Sequence, residues 1–502
     1  MRRPSAKILE KRGYFWWHGE ETPEGRFAPA TAVPGVFEVG ENGLTTLNVE
    51  GSLIQSSFLQ LDLPSDSSFE YELDALKGRS IVGKVDDDQC CVYLRNVAYT
   101  SPGRTIDGKL SETYQAGFCL VGNTSIPKNA ESFFFSVLSV GLAGLEEWRR
   151  GAAICLDVLN EDGVNRSQEV RYTVEPYEYE IDGGRLVLRS DIHCNSWKGI
   201  ATREVTFRQH DWLDYFPIDP APPEDLKQEF GHIEEFLAIL TGSYYSFDWP
   251  QISARNNEKV DSYTLYFHRN VEMTPPPEMW NLWTVFPQTR ESLGALYSEW
   301  KRKRREYGPG FYLYLGALRS STMYIEHRFV NLIWGIESLH RVRNPEAQGP
   351  SSEKEMIEAL LAKVEKDSNS QTRRWLRRQI EFASEPTLMD RIIGTFGALP
   401  WSLERNSLNK FAERCAARRN DISHYGGPRK NENEGYEAFL TDLITLSEAL
   451  GYLYHAALLR EIGLDEVTLR KCYFDAPIGH RIKIRLEQAG LTIDKSPPPV
   501  GT

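Results

Sequence analysis

Tyr324-Ile325-Glu326-His327-Arg328-Phe329-Val330-Asn331-Leu332-Ile333-Trp334-Gly335-Ile336-Glu337-Ser338-Leu339-His340 decides how the C-terminal half of this chain is read. Phe329, Ile333, Ile336 and Leu339 recur at intervals of three and four, the spacing of one face of an α-helix. Such a face needs a partner. Leu443, Leu446, Leu450, Tyr454 and Leu458 supply a second stripe of the same period. The pattern predicts helices over 289–306, 310–342, 352–367, 371–385, 387–397, 406–424 and 434–462, with a short one from Asp465. Two long helices and a shorter one between them form a compact antiparallel bundle.

Upstream the period changes. Short segments rich in aromatic and β-branched residues alternate with turn signals at Glu41-Asn42-Gly43, Pro64-Ser65-Asp66, Asp86-Asp87-Asp88, Asp107-Gly108 and Asp182-Gly183-Gly184. The run 131–140, Arg185 to Arg189 and Ser262 to Phe267 read as strands, and Pro220 to Asp225 lead into an amphipathic helix ending near Leu240. The fold class expected is α+β: an N-terminal β-rich, sandwich-like or barrel-like domain followed by an all-α bundle. The expected organisation is a β-rich sensor or regulatory domain over 1–286, a helical linker with a basic run over 287–309, the bundle over 310–465, and an extension with a disordered tail over 466–502. Trp16 and Trp17 read as core packing.

Composition narrows the class. At 502 residues, with 41% hydrophobic and 26% charged residues, the chain has the make-up of an ordinary globular protein. No stretch reaches the roughly 18 apolar residues of a membrane-spanning helix, and Met1 to Trp17 lacks the apolar core of a secretion signal. A cytoplasmic location is therefore expected, with no membrane contact. The seven cysteines have no C-x-x-C spacing, which argues for reduced thiols and against a metal site. Residues 1–310 hold 32 Lys+Arg against 46 Asp+Glu, a net of −14, whereas residues 311–460 hold 20 against 19, a net of +1. Phosphate contacts dominate nucleic-acid affinity, so nucleic-acid chemistry belongs to the near-neutral C-terminal half.

That half carries Arg419-Asn420-Asp421-Ile422-Ser423-His424, just before Gly426-Gly427-Pro428. Metal-independent RNA cleavage uses the ribose 2′-OH as nucleophile and needs a proton-transfer group and a cation on the phosphate. His424 suits the first task and Arg419 the second, with Asn420 orienting the imidazole or the ribose. On a regular helix Asn420 and His424 share a face, but Arg419 and His424 diverge by about 140°. The site therefore lies where the helix ends or is completed by a second copy, which makes a homodimer an expectation of the mechanism. Of ten histidines, His424 is the one with an arginine five residues before it.

The span 320–460 resembles a HEPN domain, whose signature R-x4–6-H is matched by Arg419, Asn420 and His424, and whose first long helix is similar to Tyr324–His340. The whole chain resembles the ApeA-like bacterial anti-phage proteins, the N-terminal likeness resting on Trp17-His18-Gly19-Glu20-Glu21-Thr22-Pro23-Glu24-Gly25-Arg26-Phe27. The resemblance implies an abortive-infection endoribonuclease without a cofactor, released by an unknown phage-derived trigger, with RNA, tRNA first, as substrate.

Further residues are candidates around that site. Glu337 and Glu326 lie on the first long helix and are positioned to tune His424; surface or structural pairing is the plainer reading. Arg414 and Arg418 extend a phosphate-binding stripe, and Lys301-Arg302-Lys303-Arg304-Arg305 forms the strongest basic run, either an RNA contact or a solvated helix end. Two other readings stay open: a non-catalytic dimerisation or partner-binding module, and a carbohydrate-acting β-domain.

Overall fold

The computed structural model describes residues 7–54, 78–85, 90–104, 110–123, 133–151, 154–161, 164–172, 175–194, 205–256, 259–269, 274–320, 322–345, 385–401, 403–428 and 435–493, with isolated positions at 359, 371, 374 and 375. The turn signals at Pro64-Ser65-Asp66, Asp86-Asp87-Asp88 and Asp107-Gly108 fall outside them, as does most of the helices expected at 352–367 and 371–385. The chain forms two compact units. The first comprises Met1–Glu146, Gly151–Glu234 and Ser246–Met273; the second comprises Glu147–Arg150, Glu235–Tyr245 and Thr274–Thr502.

In the first unit β1 (Lys7–Trp17), β2 (Val33–Gly40), β3 (Thr45–Val49), β4 (Ile81–Val85), β5 (Cys91–Arg104) and β6 (Leu110–Gly122) pair antiparallel. β6 takes β5 along one edge. Its other edge takes β3 at Glu112–Ala116 and then β14 (Lys259–Phe267) at Phe118–Gly122. The circuit β1-β2-β3-β6-β5-β4 therefore closes into a barrel. The strands continuing from β14 are β13 (Gln251–Asn256), β7 (Val137–Gly141), β12 (Phe207–Pro217), β11 (Gly184–Cys194) and β10 (Tyr177–Ile181). β8 (Ile154–Glu161) and β9 (Val164–Tyr172) form a separate hairpin. The β-rich expectation holds, and of the sandwich-like and barrel-like forms the barrel is the one present, with a sheet extension because one long strand, β6, serves both.

Alternation fills the barrel. Phe37 and Val39 on β2 and Leu47 and Val49 on β3 point inward, joining Phe15 and Trp17 of β1 in one core. Gly83 faces Phe15 across the β1–β4 ladder, and a Cβ there would sit 2.4 Å from the Phe15 ring, so the bulky side chain occupies the place a small one leaves. Trp17 donates its indole N–H to the Leu53 carbonyl at 2.9 Å. Trp16 and Trp17 are thus core residues.

The helix α1 (Pro223–Thr241) passes from one unit to the other, with residues from Glu235 grouping with the second. The second unit contains α2 (Leu293–Tyr307), α3 (Pro309–Arg319), α4 (Ile325–Arg343), α5 (Leu388–Phe396), α6 (Arg405–Tyr425), α7 (Tyr436–Glu461), α8 (Glu466–Phe474) and α9 (Pro477–Gln488). The single helix expected over 310–342 is two. Ser320 adopts an extended conformation and ends α3, in a Ser/Thr stretch whose hydroxyls compete for backbone hydrogen bonds. Likewise the helix expected at 289–306 is a single turn at Phe286–Thr289 followed by α2.

The two apolar stripes are buried as their period demands. Phe329, Ile333, Ile336 and Leu339 of α4 are each at most 1% exposed, as are Leu443, Leu446, Leu450, Tyr454 and Leu458 of α7, and the two helices pack together. Full burial of one such side chain contributes about 1.5–3 kcal/mol. His455 lies in the same core, its Nε2–H donating to the Ile239 carbonyl at 2.6 Å and its ring edge-on to Trp283. Burial pushes its pKa down to about 4. Glu235 receives Arg304 at 2.6 Å and Arg319 at 2.8 Å, tying the last turns of α1 to α2 and α3. Among the described residues no helix is long and apolar enough to cross a membrane.

Candidate active site

Arg419, Asn420 and His424 all leave the last two turns of α6. That helix begins where Glu404 caps it, accepting the Asn406 and Ser407 backbone N–H groups at 2.9 and 2.6 Å, which holds its carboxyl below the usual range. It ends at Gly426, whose φ of 68° is the left-handed conformation that glycine adopts without strain, with its N–H on the Ile422 carbonyl at 3.1 Å. The helix is therefore continuous through Tyr425. Helical geometry puts the Cα atoms of Arg419 and His424 about 8–9 Å apart and their side chains on diverging faces. The helix end does not turn one toward the other.

Charge on α6 is divided unequally. Arg414 pairs with Asp442 and also donates to the Ala489 carbonyl at 2.9 Å. Arg418 pairs with the same Asp442 at 2.6 Å and with Asp421 at 3.5 Å, and its guanidinium lies 5.1 Å over the Phe439 ring. Asp421 is buried. Arg419 is different. Its one polar partner among the described residues is its neighbour Asn420, whose Oδ1 accepts from Nη1 at 3.3 Å. The Nε–H of Arg419 is shut off from solvent and has no acceptor among the described residues. A buried N–H left without an acceptor costs about 1–3 kcal/mol. The His424 imidazole is exposed and makes no hydrogen bond among the described residues; the Tyr425 ring lies 6.5 Å away, edge-on. A guanidinium paired with no carboxylate and an exposed imidazole without a hydrogen bond, both among the described residues, have the chemistry to clamp a phosphate and to move a proton.

The remaining candidates fall in other surroundings. Glu326 accepts the Tyr436 hydroxyl at 2.6 Å, which joins the starts of α4 and α7. Glu337 acts on Arg391, favouring its charged form. In the basic run, Arg302 pairs with Glu299 and Glu306, Lys303 reaches Glu461 at 3.7 Å, and Arg304 holds Glu235. Lys301 lies over the Tyr297 ring and Arg305 is exposed. Arg414 and Arg418, grouped with Arg419 by sequence, are bound to carboxylates. Sequence reasoning missed Asp442, the residue that separates them from Arg419. It stands 24 positions beyond Arg418 on another helix, and no local spacing marks it.

The family model described as ApeA N-terminal domain 1 matches residues 10–300, and the one described as Apea-like HEPN matches residues 330–468. The chain belongs to the ApeA family. Its helical unit contains the HEPN part, with α4, α5, α6 and α7 inside the matched span apart from the first turn of α4. The family associates this ApeA chain with anti-phage defence, and HEPN domains are usually ribonucleases. Comparison with curated proteins and with solved structures gives no match.

Proposed function

We propose that this chain is an anti-phage endoribonuclease whose HEPN unit cleaves RNA, tRNA first among substrates, by attack of the ribose 2′-OH. The observation that carries the reading is the contrast between neighbours: Arg418 is held by two carboxylates, while Arg419 has, among the described residues, an unmet N–H and no carboxylate partner. In the reaction the 2′-oxygen bonds to phosphorus as its proton passes to a base, and the P–O5′ bond breaks as the leaving oxygen is protonated. The products are a 2′,3′-cyclic phosphate and a 5′-hydroxyl. His424 performs one of the two proton transfers, and Arg419 stabilises charge on the non-bridging oxygens. Asn420, one turn before His424, hydrogen-bonds the ribose. Because Arg419 and His424 diverge on a continuous helix, the complete site draws on two copies, so the active form is a homodimer. A phage-derived trigger releases it in the infected cell.

The test is cleavage of total tRNA by the full chain in EDTA, with and without His424→Ala, followed by analysis of the product ends, and the same pair in phage-challenged cells. Loss of about 10²–10⁴-fold in the variant, with cyclic-phosphate ends from the wild type, is expected. A variant that defends cells as well as the wild type overturns the nuclease reading in favour of a partner-binding module.

A further inference from the structure

The stretch from Trp17 to Phe27, which takes no part in the chemistry on α6, builds one side of a cleft on the outer wall of the barrel. Strand alternation turns Phe15 and Trp17 into the core, so Tyr14, between the buried Gly13 and Phe15, points outward. Lys84 lies directly across from Tyr14 on β4, between the buried Gly83 and Val85, and shares that outer face. The connection from β1 to β2 brings Phe27 against both. Two turns shape it: the Arg26 N–H donates to the Pro23 carbonyl and the Ala32 N–H to the Pro29 carbonyl, both at 3.1 Å. The Thr31 hydroxyl, donating to the Glu20 carboxylate, pins it further. Phe27 meets Tyr14 edge to face, with centroids 6.2 Å apart and planes at 77°, and the Lys84 ammonium lies 5.4 Å from the Phe27 ring centroid. Tyr14, Arg26, Phe27, Ala28, Pro29 and Ala32 line a cleft of about 560 Å³. Both rings are open to solvent, Tyr14 at 43% and Phe27 at 46%.

We propose that this cleft of the β-rich unit binds a free nucleotide, its base on the aromatic pair and its phosphates on Arg26 and Lys84. The site stands whether or not the helical unit is a nuclease. Charge argues for the phosphates. Residues 1–310 carry a net charge of −14, yet among the described residues neither Arg26 nor Lys84 has a carboxylate partner, and none of the lining residues is acidic. Two uncompensated cations at one cleft of an acidic domain favour an anion that concentrates its charge, and a guanidinium matches phosphate oxygens two at a time. Shape argues for the base. With the rings at 77°, a flat group stacks on one and abuts the edge of the other, while Ala28, Pro29 and Ala32 leave room beside them. A simple oxyanion would leave the rings unused, and an apolar ligand would cover the Lys84 ammonium without pairing it. The volume falls within the range of small-ligand sites, roughly 300–1,000 Å³. A nucleotide is the class of ligand that joins a planar ring to two or more negative charges on that scale.

Calorimetric titration of the full chain with ADP and with CDP tests this, with adenosine and inorganic diphosphate as the two halves of the ligand. ADP and CDP are expected to bind, and adenosine and diphosphate each to bind about tenfold more weakly or less. Phe27→Leu is expected to weaken ADP binding about fivefold or more and Lys84→Met about tenfold or more, while Tyr14→Phe keeps it. Arg26 is exposed and outside the core, so Arg26→Met reads the loss of charge without a change of fold and is expected to weaken ADP binding as well. Arg419→Met is expected to bind ADP as the wild type does. Absence of binding by both nucleotides overturns the proposal, as does an affinity that Phe27→Leu, Lys84→Met and Arg26→Met leave unchanged. Diphosphate that binds as tightly as ADP overturns it too, and reduces the cleft to an anion site. Loss of ADP binding in Arg419→Met overturns it by assigning the nucleotide to α6. A chain that binds ADP through Phe27 and Lys84 but cuts no RNA would sink the nuclease reading alone and leave this site standing.

Discussion

Arg418 and Arg419 are adjacent, chemically identical, and expected to fail in opposite ways. Replacing Arg418 with Met keeps the aliphatic stem but strips the charge from two carboxylates, Asp442 at 2.6 Å and the buried Asp421 at 3.5 Å. Breaking a buried pair by removing one partner costs about 3–5 kcal/mol. Asp442 keeps Arg414, which reduces the expected loss to about 2–3 kcal/mol. For a unit of this size that lowers the melting transition by roughly 5–10 °C. Arg419→Met removes a buried N–H that has no acceptor among the described residues, and with it a penalty of about 1–3 kcal/mol that offsets the lost contacts. Its transition is expected to stay within a few degrees of the wild type. Activity runs the other way. Arg419→Met loses about 10²–10³-fold in cleavage, the usual worth of a preorganised charge at a reacting centre, while Arg418→Met cleaves normally per folded molecule. Calorimetry of the full chain and tRNA cleavage below both transitions check the pair. Equal destabilisation, or full activity in Arg419→Met, would refute the division of roles.

Two further outcomes follow from charges away from the motif. His455 has its pKa lowered by burial to about 4 from an ordinary value near 6.5, so below pH 6.5 the unfolded chain takes up a proton that the folded chain refuses. Stability is full above 6.5 and falls as pH drops toward 4, by up to about 3 kcal/mol; hydrogen exchange of α7, corrected for intrinsic rates, reads this, and His455→Gln should flatten it. Glu235→Gln leaves Arg304 and Arg319 without their shared carboxylate and is expected to cost about 2 kcal/mol or more, whereas Arg305→Ala, on the exposed side, stays within about 0.5 kcal/mol by urea unfolding.

Local periodicity carried much of the architecture into the sequence, and long-range pairing carried the rest out of reach. The alternation of Phe37 and Val39 and the stripe of Phe329 to Leu339 are local, and both are buried as their spacing requires. Barrel closure is not local: it depends on β6 meeting β3, β5 and β14, and no turn signal encodes that. The break at Ser320 was hidden because apolar residues continue on both sides, from Phe311 and Leu315 to Phe329 and Ile333. At the site, the motif marked Arg419 and His424 but could not separate Arg419 from Arg418. That distinction lies in Asp442, a residue of another helix, and so is a property of packing.

The same packing bears on how many chains make one site. α6 stays helical through Tyr425, so Arg419 and His424 leave it on faces about 140° apart. If one phosphate is to meet both, the arginine of one copy must work with the histidine of another across a two-fold axis, where each subunit gives and receives the same residues. Mixing Arg419→Ala chains with His424→Ala chains tests this without any structural assumption. Each variant alone is inactive. In a random mixture about half of the dimers are mixed, and each mixed dimer holds one intact site out of two, so about a quarter of the wild-type cleavage returns. A site built within one chain gives no recovery at any ratio, because every chain then lacks one of its own two groups. Recovery in proportion to the product of the two concentrations would show that the divergence on α6 is resolved by a second copy and not by a local bend.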